Sequence, residues 1–323
     1  MTMLENVIYP TQKKLFNRLK KQFHGNTVSS HGDYILVKGE APIMLVAHLD
    51  TVHKSPVKTI CKSRDKTVWM SPEGIGGDDR CGVYAILKAY ESVDVKPWLL
   101  FTCDEEIGCV GAGVFADDFK TKKYLPKELK KLKCIVEIDR RGSDDAVFYD
   151  CDNADFEAYV NSKGFKTALG SFSDICYIAP GLGVAAVNLS SGYYNAHTEH
   201  EFIVVPELER VIEKVIEMVR ESTDAEFPRY EYVEKEKAVT IRDWNYSRYY
   251  EDVLSDFYKV PSDLNDLEKR AYVELLDYGY HDEKELNDLR AQYGNEFLLT
   301  LYEIDTGVAM YGEDDEDELS HRV

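Results

Sequence analysis

The sequence predicts an α/β protein with a three-layer core, a mostly parallel central sheet flanked by helices, and three observations carry that expectation. Short runs that are nearly continuous in apolar residues, WLLFTC (98–103), CIVEI (134–138) and GVAAVNLS (183–190), have the composition of strands buried on both faces. Helical patterns separate several of them. The clearest of these opens at Pro206 and repeats Leu208, Val211, Ile212, Val215, Ile216 and Val219 at helical spacing.

Taken in order, the residues up to Phe23 read as a helix with Leu15, Leu19 and Phe23 on one stripe. YILVKG (34–39) and PIMLVAH (42–48) are too short for helices and rich in strand formers. VKTICKS (57–63) and KTVWMSP (66–72) flank Arg64 and Asp65 as a hairpin, and the glycine-rich GIGGDDRCG (74–82) turns into a helix. A short helix is expected around 155–161. The helix opened by Pro206 closes a main domain over 1–224. Residues 225–238 read as a charged linker, and 239–323 as a small helical module with an acidic tail at 312–318.

Composition narrows the function. The 323 residues, 44% hydrophobic, are enough for one large core and a small appendage. With 59 acidic against 39 basic residues the net charge is -20, which disfavours nucleic acid and anionic membrane as partners. Seven scattered cysteines without ligand spacing indicate free thiols, and the N-terminus lacks the apolar stretch of a signal peptide or membrane span. A cytoplasmic protein is expected.

Five polar clusters each close an apolar run or open a helix: AHLD with His48 and Asp50, GGDD with Asp78, DEE with Glu105 and Glu106, EID with Asp139, and NAH with His197. Singly, each has a plain structural use: a hydrogen-bonded histidine, a helix cap at Asp78 and Asp79, a solvated loop, a turn. Together they supply two imidazoles and several carboxylates at strand ends, where open α/β sheets place their ligands. Such donors suit zinc, and paired hydrolytic metals about 3.5–4 Å apart need a shared carboxylate, for which Asp78 is the candidate.

The order H-x-D, G-x-D-D, D-E-E-x-G, E-x-D and N-x-H-x-x-x-E resembles the co-catalytic dizinc metallopeptidases, the superfamily of peptidase T, carboxypeptidase G and the aminoacylases. GIGGDDRCG is similar to their glycine-rich bridging loop, and SGYYNAHTEHEFIVV followed by an amphipathic helix looks like the end of a peptidase T catalytic domain. The resemblance implies two divalent ions, zinc first, with cobalt and manganese sharing these ligands. It assigns His48, Asp78 and Asp139 to one ion and Asp78, Glu106 and His197 to the other. Glu105 becomes the general base and Asp50 the residue that fixes His48.

By the same resemblance Asp174 lies near the site, though a turn role fits it equally. His200 rivals His197 but falls out of frame, and His53 reads as a loop residue. Cys103 and Cys109 read as packing, and Tyr193 or Tyr194 as an oxyanion donor or as packing. The span 140–196 is too short for the lid and dimerisation domain that peptidase T carries, so a lid-mediated dimer is not expected. The helical module after Val239 then becomes either a partial cover for the cleft or an independent appendage. The implied activity is hydrolysis of short peptides by an aminopeptidase, with deacylation of N-acyl amino acids, or an inactive scaffold, as alternatives.

Overall fold

The computed structural model describes residues 2–30, 32–121, 125–170, 172–235, 259–277 and 281–306. The chain divides into two compact units, Met1–Lys235 and Glu236–Val323. In chain order the strands of the first are β1 (Thr27–Ser30), β2 (Tyr34–Val37), β3 (Ile43–His48), β4 (Cys61–Lys62), β5 (Val68–Met70) and β6 (Trp98–Thr102). They continue with β7 (Cys134–Arg140), β8 (Asp145–Val147), β9 (Lys166–Thr167), β10 (Ala186–Ser190), β11 (Tyr193–Tyr194) and β12 (Phe202–Val204). The larger sheet has the order β1-β2-β6-β3-β7-β10-β8-β9, and its centre, β6-β3-β7-β10, is parallel. The smaller sheet, β11-β12-β5-β4, is antiparallel and contains the expected hairpin.

The helices are α1 (Met3–Ile8), α2 (Gln12–Gln22), α3 (Gly77–Glu91), α4 (Val110–Lys120), α5 (Ala154–Ser162), α6 (Ile175–Leu182) and α7 (Val205–Ser222). Residues of α1, α2, α3, α5 and α7 form one apolar core against one sheet face, while α4 and α6 form a second core on the other. Every residue of β3 and β6 is buried, as expected of central strands covered on both sides. Apolar alternation alone therefore could not have marked their faces.

Two expectations change. The N-terminal helix is two helices, because Pro10 between them has no N–H to donate and clashes with a preceding turn. The stretch read as a charged linker is ordered against the first unit as far as Lys235: the Tyr230 N–H donates to the Lys133 carbonyl (2.8 Å), and its carbonyl accepts from Ala185 N (2.9 Å). Its ring is buried with Phe156, Tyr159 and Phe227, an aromatic cluster that the surrounding charges conceal in the sequence.

The second unit contains α8 (Asp266–Asp277), α9 (Glu283–Tyr293) and α10 (Phe297–Thr306), with Tyr272, Leu275, Leu286 and Leu298 buried. The expected acidic tail at 312–318, like 239–258, lies outside the described residues. Among the described residues no helix is long and apolar enough to cross a membrane.

Candidate metal centre

The parallel strands bring three clusters to one edge of the larger sheet, as their positions at strand ends predict. His48 ends β3, Glu105 and Glu106 follow β6, and Asp139 lies near the end of β7. His197 comes from the loop between β11 and β12, with φ at +63°, and Asp78 from the first turn of α3. Asp78 departs from helical geometry (φ −79°, ψ 105°), so its carboxylate faces the sheet edge rather than capping the helix.

Two groups of potential metal ligands result. His48, Asp78 and Asp139 form one, and Asp78, Glu106 and His197 the other, with the donor atoms of each within 4.8 Å of one another. His48 Nε2 lies 3.1 Å from Asp78 Oδ1 and 3.5 Å from Asp139 Oδ1. His197 Nε2 lies 3.3 Å from Asp78 Oδ2 and 3.1 Å from Glu106 Oε2. The two oxygens of Asp78 thus face different imidazoles, the disposition a bridging carboxylate requires. His200 is exposed and belongs to neither group.

The donor set fits divalent cations. Burial opposes a charged imidazole, yet Asp139, Asp50 and Asp78 outweigh it and hold His48 well above the ordinary imidazole range. Asp78 and Glu106 do the same to His197 against its burial. Burial, followed by the neighbouring Asp78 carboxylate, drives Asp139 up. The cluster is therefore short of positive charge, which a metal ion supplies while leaving the imidazoles neutral as donors. Glu106 Oε1 is in addition a buried oxygen with no hydrogen-bond partner, and an acceptor left that way is costly unless a cation takes it up.

Supporting residues hold each ligand's backbone. Asp50 accepts from the N–H groups of Glu105 and Glu106, both at 3.1 Å, and its Oδ1 lies 3.3 Å from His48 Nδ1. It holds the glutamate turn and lies beside the imidazole. Asp79 accepts from His48 N (3.2 Å) and Gly82 N (2.9 Å). Glu201, fully buried, accepts from Gly76 N (2.7 Å) and Asp78 N (2.8 Å), and pairs with His53 Nε2 at 2.8 Å. His53 is thus a partner of the bridging loop rather than a plain loop residue. Its ring occupies the space of a side chain at Gly74, where a Cβ would lie 2.2 Å away and φ is +79°.

Below Asp139, Asn188 on β10 accepts from its N–H (2.9 Å) and donates to Ser173 Oγ (3.2 Å), which itself donates to buried Glu137. Asp174 precedes α6 without capping it; instead it accepts from Thr102 Oγ1, and burial pushes it up to about 6. It also stands in the turn before α6, where its carbonyl accepts from Tyr177 N (3.1 Å) and Ile178 N (3.2 Å). Tyr193 is buried with its hydroxyl 3.5 Å from Asp139 Oδ1, whereas the Tyr194 hydroxyl donates to Glu207. Glu105 sits beside the ligands, raised by burial and then by the surrounding carboxylates against the influence of His48.

Asp79, Glu201, Asn188 and Glu137 were not singled out by residue-level reasoning. For Asp79 and Glu201 a signal existed in the doubled aspartate of GGDD and the last position of N-x-H-x-x-x-E; for Asn188 and Glu137, polar residues inside apolar strands were the only hint.

No protein-family model matches the chain, and no curated protein matches it in sequence. Solved structures do. Aminopeptidase PepT from Bacillus cereus ATCC 10987 is 16% identical and aligns over 69% of this chain and 97% of its own, with a TM-score of 0.50. A tripeptidase from Staphylococcus aureus subsp. aureus Mu50 is 16% identical over 68% of this chain and 96% of its own, with a TM-score of 0.51. The chain shares their fold.

Proposed function

We propose that this protein is a metal-dependent aminopeptidase that hydrolyses short peptides at a two-ion centre. The observation that carries the reading is Asp78, whose two oxygens face His48 and His197 at the junction of two three-residue ligand groups. The shared fold with proteins described as an aminopeptidase and a tripeptidase supports it. His48, Asp78 and Asp139 would hold one ion, and Asp78, Glu106 and His197 the other; zinc is the first choice for these donors. Divalent ions held there would polarise the scissile carbonyl and acidify the attacking water.

The remaining work falls to the chain's own residues. Glu105 accepts a proton from the attacking water as its oxygen bonds to the carbonyl carbon. It then returns that proton to the leaving amine nitrogen as the C–N bond breaks. Burial raises the carboxyl of Glu105, the direction a general base needs. Asp50 holds the turn that carries Glu105, so the base is positioned before substrate arrives. Residues 140–196 are taken up by β8, α5, β9, α6, β10 and β11 of the first unit, which supports an enzyme working without an inserted lid. All seven cysteines are unpaired, in keeping with the cytoplasmic setting we favour.

The test is a cleavage assay with a free-amine peptide library and a set of N-acylated amino acids, with metal content measured on the same sample. Peptide trimming from the amino end with about two ions per chain is expected. Glu105→Gln should keep both ions and lower kcat by roughly 100-fold to 10,000-fold. Cleavage of the acylated set alone would replace the reading with a deacylase, and a metal-free, inactive chain would replace it with a scaffold.

A further inference from the structure

The turn that carries Glu105 is closed by an unusual residue. Cys109, at the start of α4, has φ at +51°, a left-handed conformation that side-chain-bearing residues seldom adopt. Four backbone hydrogen bonds impose it. Cys109 N donates to Glu105 O (2.8 Å), Val110 N to Asp104 O (3.1 Å), Gly111 N to Cys103 O (2.9 Å), and Gly113 N to Cys109 O (2.9 Å). In that conformation the Cys109 side chain turns back on the turn it closes. Its Sγ lies 3.5 Å from Glu105 Oε1, and the residue is 1% exposed.

We propose that Cys109 is a positioning residue for the base: its thiol donates to Oε1 of Glu105, fixes the carboxylate plane and leaves Oε2 for the attacking water. This inference rests on the peptidase reading above. Among the described residues no other hydrogen bond to the Glu105 carboxylate competes with the thiol. Asp174, whose Oδ2 is taken by the Thr102 hydroxyl, is the rival acceptor for the single thiol proton. Asp174 is thereby anchored to β6 and forms a fixed negative wall behind the sulfur. Burial, and then the carboxylates of Asp174 and Glu105, keep the thiol protonated, so it serves as a donor and not as a nucleophile.

The geometry separates this role from packing. A β-branched valine would be strained at φ +51° whatever its contacts, so alanine is the donor-free variant, and serine keeps a donor on a shorter arm. With a loosened base the substrate still binds, but the proton transfer is misaligned. Cys109→Ala should lower kcat about tenfold, with KM within about twofold and metal content unchanged. Cys109→Ser should retain kcat to within about threefold. Equal losses in serine and alanine variants, a rise in KM without a fall in kcat, or full activity in the alanine variant would overturn the proposal.

A second measurement does not depend on turnover. The S–H stretching band of Cys109, identified by infrared difference between wild type and Cys109→Ser, should move in Glu105→Gln, where the acceptor loses its charge. An unmoved band overturns the contact. A wild-type chain that cleaves no amide while its band still moves overturns the peptidase reading, and the role with it, and leaves only the contact.

Discussion

Replacing Asp50 by asparagine tests the construction of the centre more sharply than removing a ligand. The Asp50 side chain, 12% exposed, makes three contacts: two backbone N–H groups at 3.1 Å and His48 Nδ1 at 3.3 Å. Asparagine has a single acceptor oxygen and an NH₂ group, which must then point at a donor. At least one charge-assisted hydrogen bond is lost, worth about 1.5–3 kcal/mol, and a half-buried N–H is left facing another donor. The expected loss of stability is about 2–4 kcal/mol, a fall in Tm of roughly 5–15 °C for a unit of this size. Loosening of the His48 ring should also weaken metal binding about 10-fold to 100-fold. Denaturant unfolding in chelator isolates the first effect, and competition titration with a metal indicator the second. A variant as stable as wild type that binds metal with unchanged affinity would refute the argument that Asp50 ties β3 to the glutamate turn.

Two further outcomes follow from the same geometry. Chelation should lower Tm by roughly 5–10 °C, since an ion at 100 times its Kd contributes about 2.7 kcal/mol; calorimetry with and without chelator checks it, and an unchanged Tm would speak against the ligand groups. Gly82→Ala places a Cβ 2.2 Å from the Ile138 carbonyl oxygen and 2.4 Å from Asp79 Oδ1, so the close approach of α3 to β7 is forced apart. A loss of about 1–3 kcal/mol or more is expected by denaturant unfolding, together with weaker metal binding through displaced Asp79 and His48; a neutral substitution would contradict the packing.

The candidate ligands, which the structure brings together in two groups, stand out in the sequence because they combine two signals, a metal-binding residue type and a position at the end of an apolar run. His48, Glu106 and Asp139 close strands that the sheet order β6-β3-β7 makes neighbours. The supports were not legible in the same way. Asp50 reaches the glutamate turn across more than fifty residues, and Glu201 reaches Asp78 across more than a hundred. Motif positions mark Asp50, Asp79 and Glu201, but nothing local gives their partners, which are backbone N–H groups that every residue carries. The ordered stretch before Lys235 was missed for the opposite reason: its charges face outward and hide a tyrosine that packs.

Each support also holds a different element from the one it comes from. Asp50 belongs to the end of β3 but fixes the turn after β6. Asp79 belongs to α3 but holds the backbone of β3 at His48, and Asn188 on β10 holds β7 at Asp139. Glu201, beside β12, holds the loop that delivers Asp78. The candidate ligands are consequently tied, through carboxylate or carboxamide oxygens, to backbone N–H groups of neighbouring elements, so a displacement of one element is passed to the next. This linkage fixes the strand ends without an inserted domain between Asp139 and His197. It also means that losses from two support substitutions should fall short of additivity. The second substitution then acts on a centre that the first has already loosened.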